Sequence, residues 1–269
     1  MSFFSSARAF FHILKEDVSA ARIGTPLGWL IHMHYQGRLA DQSETELPFK
    51  SCSLQVNNRQ VNLILTADYE GAFKGVFLDN EYQCTERLGF VPRRILDLGA
   101  NIGMGTLHLH TQFPDAEFIC VEPDPRNIAL LKRNLEANGV RASIVQAAAG
   151  ATAGALQLRY GKNPTCSALE TSPMHDLKEC VTVKLMTVTE MLDDADWDKV
   201  DIVKIDIEGT EDELLSIHSK WLQRVGVLIL EIHPNTTPEQ IESYLKPFGF
   251  HLSRVGMGRE PVYFADRSA

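Results

Sequence analysis

Hydrophobic and polar positions follow two patterns, which change near Pro92. Beyond it, short apolar runs recur between stretches of helical spacing. The runs ILDLG (from Ile95), EFICVEP (from Glu117), ASIVQAA (from Ala142), VDIVKIDIEG (from Val200) and VGVLILEIH (from Val225) read as strands. FHLSRVG and PVYFADR close the chain. Strands alternating with helices predict βαβ units, a mostly parallel sheet and an α/β fold. Boundary residues support the helices between them. Asp124-Pro125 sets an N-cap before a proline, Ile128, Leu131 and Leu135 recur at helical spacing, and Asn138-Gly139 stops the helix. Thr210 with Glu213 predicts a capping box ahead of Leu214, Ile217 and Trp221. Thr237 with Gln240 predicts another ahead of Ile241, Tyr244, Leu245 and Phe248, ended by Gly249.

Before Pro92 the pattern is different. Residues 3–40 read as helical with turns, and Phe3, Phe4, Phe10, Phe11 and Leu14 share one face. That face is expected to pack on the domain or on a second subunit as a homodimer contact, the sharper alternative being a membrane-surface or partner-binding helix. SLQV and VNLIL, joined by Asn57–Gln60, predict a hairpin. LQLRY and CVTVKLMTV within residues 152–192 predict extra β structure inserted between the third and fourth main strands. The expected organisation is an N-terminal helical and hairpin extension over 1–65 and a main domain over 66–269.

Composition narrows the partners. The 269 residues suffice for one large α/β domain. A formal charge of −9 lacks the electrostatic footprint for polyanions, so nucleic acid is not expected as a partner. No apolar run is long enough to span a bilayer, so no integral membrane contact is expected. The N-terminus lacks a basic start and a small-residue cleavage site, which favours a cytoplasmic protein. Cys52, Cys84, Cys120, Cys166 and Cys180 form no CxxC or Cys/His cluster, so reduced buried thiols are expected rather than disulfides or zinc.

The chemistry concentrates at strand ends. In Asp97-Leu98-Gly99-Ala100-Asn101-Ile102-Gly103 a strand runs into a glycine turn that opens a helix, where free N–H groups face a ligand. A dinucleotide site wants GxGxxG, but Asn101 replaces the second glycine. Asp97 at the strand end would repel a pyrophosphate and suits a cationic, phosphate-free ligand, which S-adenosylmethionine is. Glu122-Pro123 ends the next strand, where a carboxylate accepts both ribose hydroxyls. Ala147 and Ala148 leave room for a flat adenine.

The last two long strands end in charge. Ile202, Lys204, Asp206 and Glu208 would share one face, and so would Ile229, Glu231 and His233. A central parallel strand is apolar on both faces, so such groups need partners or a task. Lys204 is expected to brace the sheet by pairing with Asp206 or Glu231. Asp206, Glu208 and His233 are the candidate catalytic residues, with His233 as general base because its ordinary pKa suits neutral pH. Asp206 with Glu208 would suit a divalent cation, but no third ligand is evident, so no metal is expected.

DLGANIG, VEPDP, DIVKIDIEGTE and LILEIHP, in this order, closely resemble the FkbM-type methyltransferases over roughly residues 66–253. FLDNEYQC also resembles the family, with Tyr82 at an aromatic position assigned to the cofactor. The resemblance implies a class I, Rossmann-like methyltransferase fold: a seven-stranded sheet, helices on both faces and an antiparallel last strand. It implies O-methylation of a small-molecule, sugar or natural-product hydroxyl. By motif position Asp97, Gly99, Asn101 and Gly103 would hold the methionine part and Glu122 the ribose, while Asp206, Glu208 and Glu211 belong to the second motif. Competing readings are a non-catalytic scaffold, opposed by the intact turn with Glu122, and a nicotinamide oxidoreductase, opposed by Asp97 and Asn101.

Overall fold

The computed structural model describes residues 50–159, 168–169, 180–255 and 261–267. The predicted N-terminal helix with its homodimer contact, and Cys166, lie outside the described residues.

The described residues open with a hairpin of β1 (Lys50–Val56) and β2 (Arg59–Leu65), paired Val56 to Arg59 at the turn. The connection is two residues long, shorter than the expected four. Asn57 and Asn58 both take the left-handed conformation (φ 49° and 61°), which matches the twist of a two-residue hairpin turn and which asparagine tolerates. Helix α1 (Glu70–Phe77) follows. Strand β3 (Arg94–Leu98), helix α2 (Met104–Gln112), β4 (Glu117–Val121), α3 (Pro125–Ala137) and β5 (Ala142–Val145) then alternate. A small sheet interrupts them: β6 (Ala148–Ala149), β7 (Gly154–Arg159), β8 (Ala168–Leu169) and β9 (Cys180–Met186), in the order β6-β9-β7-β8. Helix α4 (Val188–Asp194), β10 (Val200–Ile205), α5 (Glu211–Ser216), β11 (Val225–Glu231), α6 (Pro238–Leu245), β12 (His251–Val255) and β13 (Val262–Asp266) complete the fold.

The main sheet has the order β12-β13-β11-β10-β3-β4-β5. Only β13 runs antiparallel to its neighbours β11 and β12; the other pairs are parallel. This is the seven-stranded arrangement, with one strand antiparallel, that the family resemblance implies. Strand order reverses between β3 and β10, the switch point at which open α/β sheets leave a crevice beyond their carboxyl ends.

Period two sorts the side chains of β3 into two cores. Ile95 joins Ile102, Leu107, Phe118 and Leu131, together with Leu54, Leu63 and Leu65 of the hairpin. Leu96 and Leu98 join Ile119, Val121, Val203, Leu214, Leu228 and Ile241 on the opposite face. Both faces of the sheet are therefore dry, which is why its central strands read as near-continuous apolar runs. Among the described residues no helix is long and apolar enough to cross a membrane.

Local signals were mostly obeyed, with instructive exceptions. Asp124 caps α3 by accepting from Arg126 N at 2.8 Å, with Pro125 behind it. Thr237 caps α6, but Gln240 turns its amide to Asp212 and Tyr244 instead of back to the cap. The predicted Thr210–Glu213 box does not form. Glu208 and Gly209 are left-handed (φ 56° and 95°), so the chain reaches Thr210 in a non-extended conformation and its hydroxyl donates to Ile207 O. A capping box unread in the sequence forms between Thr187, inside the run CVTVKLMTV taken as strand, and Glu190 just beyond it. The run ASIVQAA also splits, since Ala148–Ala149 leave β5 to pair with β9. Cys52, Cys84 and Cys120 are buried as expected, whereas Cys180 is exposed.

Candidate functional site

An open cleft lies at the switch point. Gly99 and Asn101 line it from the glycine turn, Val121, Glu122, Pro123 and Asn127 from the end of β4 and the start of α3, and Ala147–Ala149 from the segment after β5. Asp206, Ile207, Glu208 and Thr210 line it from the loop after β10, and Leu158 from the small sheet.

The glycine turn owes its shape to close packing. A Cβ on Gly99 (φ 78°) would lie 1.7 Å from the Asp206 carbonyl oxygen, so only glycine lets the turn cross the end of β10. Gly103 (φ 91°) would drive a Cβ to 2.9 Å from Leu131 Cδ1. The N–H groups of Gly99 and Ala100 both donate to Val121 O. Gly103 and Ala100 thus set the turn against its neighbours and stand off the cavity wall.

Asp97 and Tyr82, read as cofactor residues, also stand off that wall. Asp97 is fully buried, accepting from Thr106 Oγ1 at 2.6 Å and pairing with Lys204 Nζ at 3.1 Å. Lys204 also donates to Gly99 O at 2.7 Å and lies 3.5 Å from Asp206 Oδ2. Burial opposes the ammonium charge, but the Asp97 and Asp206 carboxylates outweigh it and hold the Lys204 pKa above its ordinary value. The buried Tyr82 ring lies 5.5 Å from Lys204 Nζ, and its hydroxyl faces Asp206 Oδ2 at 3.4 Å. Lys204 therefore braces the sheet, as expected, but with Asp97 as an unforeseen partner. The ion pair neutralises Asp97, so the carboxylates left to face the cavity are Glu122, Asp206 and Glu208.

Glu122 is one of these. Its Oε2 accepts from Asn101 N at 2.8 Å, and its Oε1 from Asp124 N at 2.9 Å and Asn127 Nδ2 at 3.2 Å. Burial lifts its pKa to about 7, while these donors hold it down. Asn127 was not singled out in the sequence. Its signal was a polar residue on the buried face of α3, shared with Asn134.

Across the cavity, β10 ends at Ile205, so Asp206 and Glu208 sit on a loop rather than on the strand face expected of them. Asp206 N still donates to Leu98 O. His233, just past β11, brings Nδ1 to 2.8 Å from Glu211 Oε1. Its Nε2 lies 3.7 Å from Glu208 Oε2 and 3.8 Å from Glu231 Oε1. Burial opposes protonation of the ring, but Glu211, Asp206 and Glu208 overcome this and raise its pKa to about 9. The surrounding carboxylates favour the charged form of the ring, so the ordinary pKa that recommended it as a general base does not carry over to this setting. Asp206, Glu208 and His233 each bring one ligand-capable atom within 4.8 Å of the others.

The sequence model of the family described as the methyltransferase FkbM domain matches residues 97–252. Methyltransferase sdnD of Sordaria araneosa is 28% identical over 218 residues, covering 68% of this chain and 82% of that protein. Hexuronic acid methyltransferase AglP of Haloferax volcanii is 24% identical over 180 residues, covering 64% and 69%. Among solved structures, M. capricolum TrmK with S-adenosyl-homocysteine is similar at a TM-score of 0.44 and 11% identity, covering 69% and 66%.

Proposed function

The chain belongs to the FkbM methyltransferase family, and on that premise we propose that it methylates a hydroxyl oxygen of a small molecule, sugar or natural product. The cavity at the switch point carries this reading. It sets the buried carboxylate of Glu122 at one side and the part-exposed carboxylates of Asp206 and Glu208 at the other.

The residues present fit S-adenosylmethionine. Oε1 of Glu122 is filled by Asp124 N and Asn127 Nδ2, whereas Oε2 takes only Asn101 N and keeps a lone pair, which suits a ribose hydroxyl. Ala147 and Ala148 leave a flat space for adenine. Gly99 and Asn101 bring turn backbone to the cavity beside Asp206, where an amino group finds a carboxylate. Asp97, Ala100, Gly103 and Tyr82 support that wall from behind. When bound, the cofactor supplies an electrophilic methyl on a sulfonium.

The protein's own task is alignment, proton handling and exclusion of water. Asp206 and Glu208 accept the hydrogen bond of the acceptor hydroxyl, and one of them takes its proton. His233 donates into this cluster and holds its geometry. Leu158 and Ile207 give the cavity apolar wall. The hexuronic acid acted on by one relative makes a sugar a natural member of the acceptor class.

The test is incubation of the full chain with methyl-labelled cofactor and a panel of sugars, polyols and hydroxylated small molecules. A product heavier by one methylene, with the label on oxygen in fragmentation spectra, is expected. Label on nitrogen or carbon, or no product from any hydroxyl compound, overturns the reading.

A further inference from the structure

We propose that Asp206, Glu208 and His233 form a site for one divalent cation of the Mn²⁺ or Mg²⁺ class, held at the acceptor end of the cavity, with Glu211 as the residue that positions the imidazole. In the sequence only two adjacent carboxylates were visible, and a metal was not expected for want of a third ligand. The fold supplies it from the end of the next strand. One atom from each of the three residues falls within 4.8 Å of the others. Ligands on opposite sides of a cation with bonds of about 2.0–2.5 Å are separated by roughly that much.

The imidazole is presented as a metal-bound histidine would be. Nδ1 faces the buried Glu211 at 2.8 Å, which leaves Nε2 toward Glu208 and Glu231. A carboxylate on the far nitrogen is the usual way a protein sets the tautomer and orientation of a ligating histidine. Glu211 Oε1 also takes the N–H groups of Ile207 and Gly209, so the same carboxylate ties the ring to the loop that carries the other two ligands. Its second oxygen, Oε2, is buried with no hydrogen-bond partner among the described residues. A cation on Nε2 lies on the far side of the ring from this atom, so a water is the group that would satisfy it. Tyr82 and Lys204 both contact Asp206 through Oδ2, which leaves Oδ1 for a ligand.

A bound cation takes the place of the ring proton on Nε2. Two carboxylate oxygens and one imidazole nitrogen favour a hard divalent ion over thiolate-seeking metals and leave coordination positions open. Asp206 and Glu208 line the cavity, so the open positions face the acceptor. The acceptor class becomes narrower: a hydroxyl with a second oxygen within chelating reach, such as a vicinal hydroxyl or a carboxylate. This acceptor role rests on the methyltransferase reading above; the cation site itself does not.

The test is titration of the full, chelator-treated chain with Mn²⁺, followed by electron paramagnetic resonance. Uptake of one equivalent, with echo modulation from an imidazole nitrogen, is expected. Glu208→Gln and Glu211→Gln should each weaken uptake on the order of 10–100-fold, and His233→Gln should remove the nitrogen modulation. Thermal melting confirms folding; Glu208 is part-exposed, so its variant keeps the test decisive if the others fail to fold. No uptake at millimolar Mn²⁺, unchanged affinity in the Glu208 variant, or modulation that survives loss of His233 overturns the site. Calorimetry with S-adenosylmethionine in chelator separates the two proposals. Cofactor binding without Mn²⁺ uptake sinks the cation site alone, and failure of both sinks the functional reading as well.

Discussion

Beneath the glycine turn, Asp97 and Lys204 are 0% and 3% exposed, and the contacts of both stay inside the protein: Thr106, Gly99 O, Asp206 and each other. At the ends of β10 and β11, Asp206 and Glu208 keep side chains 24% and 28% exposed, open onto a cavity, with His233 between Glu208 and Glu211. Both regions place carboxylates against cations at strand ends. What separates a brace from a site is the remaining ligand capacity. A buried pair closed off from solvent specifies packing, while a cluster that faces open volume can still take up a ligand. Lys204 touches both regions, so the brace also places the site.

The comparison breaks most sharply at Lys204. Lys204→Met leaves Asp97 buried without its cation and should destabilise the chain by about 3–5 kcal/mol in urea denaturation. Adding Asp97→Asn should recover a large part of that. A loss below about 1 kcal/mol would mean the pair does not brace the sheet. On the other side, Glu208→Gln should lower kcat on the order of 10²-fold and leave cofactor affinity nearly unchanged. Parallel loss of both would move Glu208 from the acceptor to the cofactor. Glu122→Gln should cost about 1.5–3 kcal/mol of cofactor binding, roughly 10–100-fold by calorimetry; an unaltered affinity would take the ribose away from it.

The smallest effect is the pH dependence. With the Glu122 pKa lifted to about 7, cofactor affinity should rise up to about tenfold from about pH 6 to about pH 8, and Glu122→Gln should flatten that profile. Folding stability has the opposite sign. A carboxyl whose pKa rises on folding favours the protonated native state. Its contribution is full below the unfolded value and is lost as pH rises through about 7. Denaturation at several pH values in the absence of cofactor checks this, and affinity and stability that move together would refute the assignment.

Apolar runs and turn residues were enough to read the sheet, because strand period and helix caps depend on neighbours a few positions away. Asp124-Pro125 and Asn138-Gly139 bounded α3 correctly for that reason. Thr210 misled because capping needs an extended approach, and the left-handed Glu208 and Gly209 removed it. Residues at strand ends could be listed from the sequence, since an ionisable group in a central strand is conspicuous wherever it sits. Their assignments could not be. Asp97 looked like a ligand contact and His233 like a base, and each judgement depended on groups from other elements of the fold.

The sequence by itself determined the α/β alternation, the turn after Asp97, the carboxylate at Glu122 and the charged ends of the fourth and fifth main strands. The tertiary structure alone decided which of those charges are spent within the protein and which face the cavity. Periodicity and propensity act locally, whereas burial, pKa and ion pairing are set by what the fold brings beside a group. Lys204 from β10 closes on Asp97 from β3, and Glu211 from α5 sets the proton of His233 beyond β11.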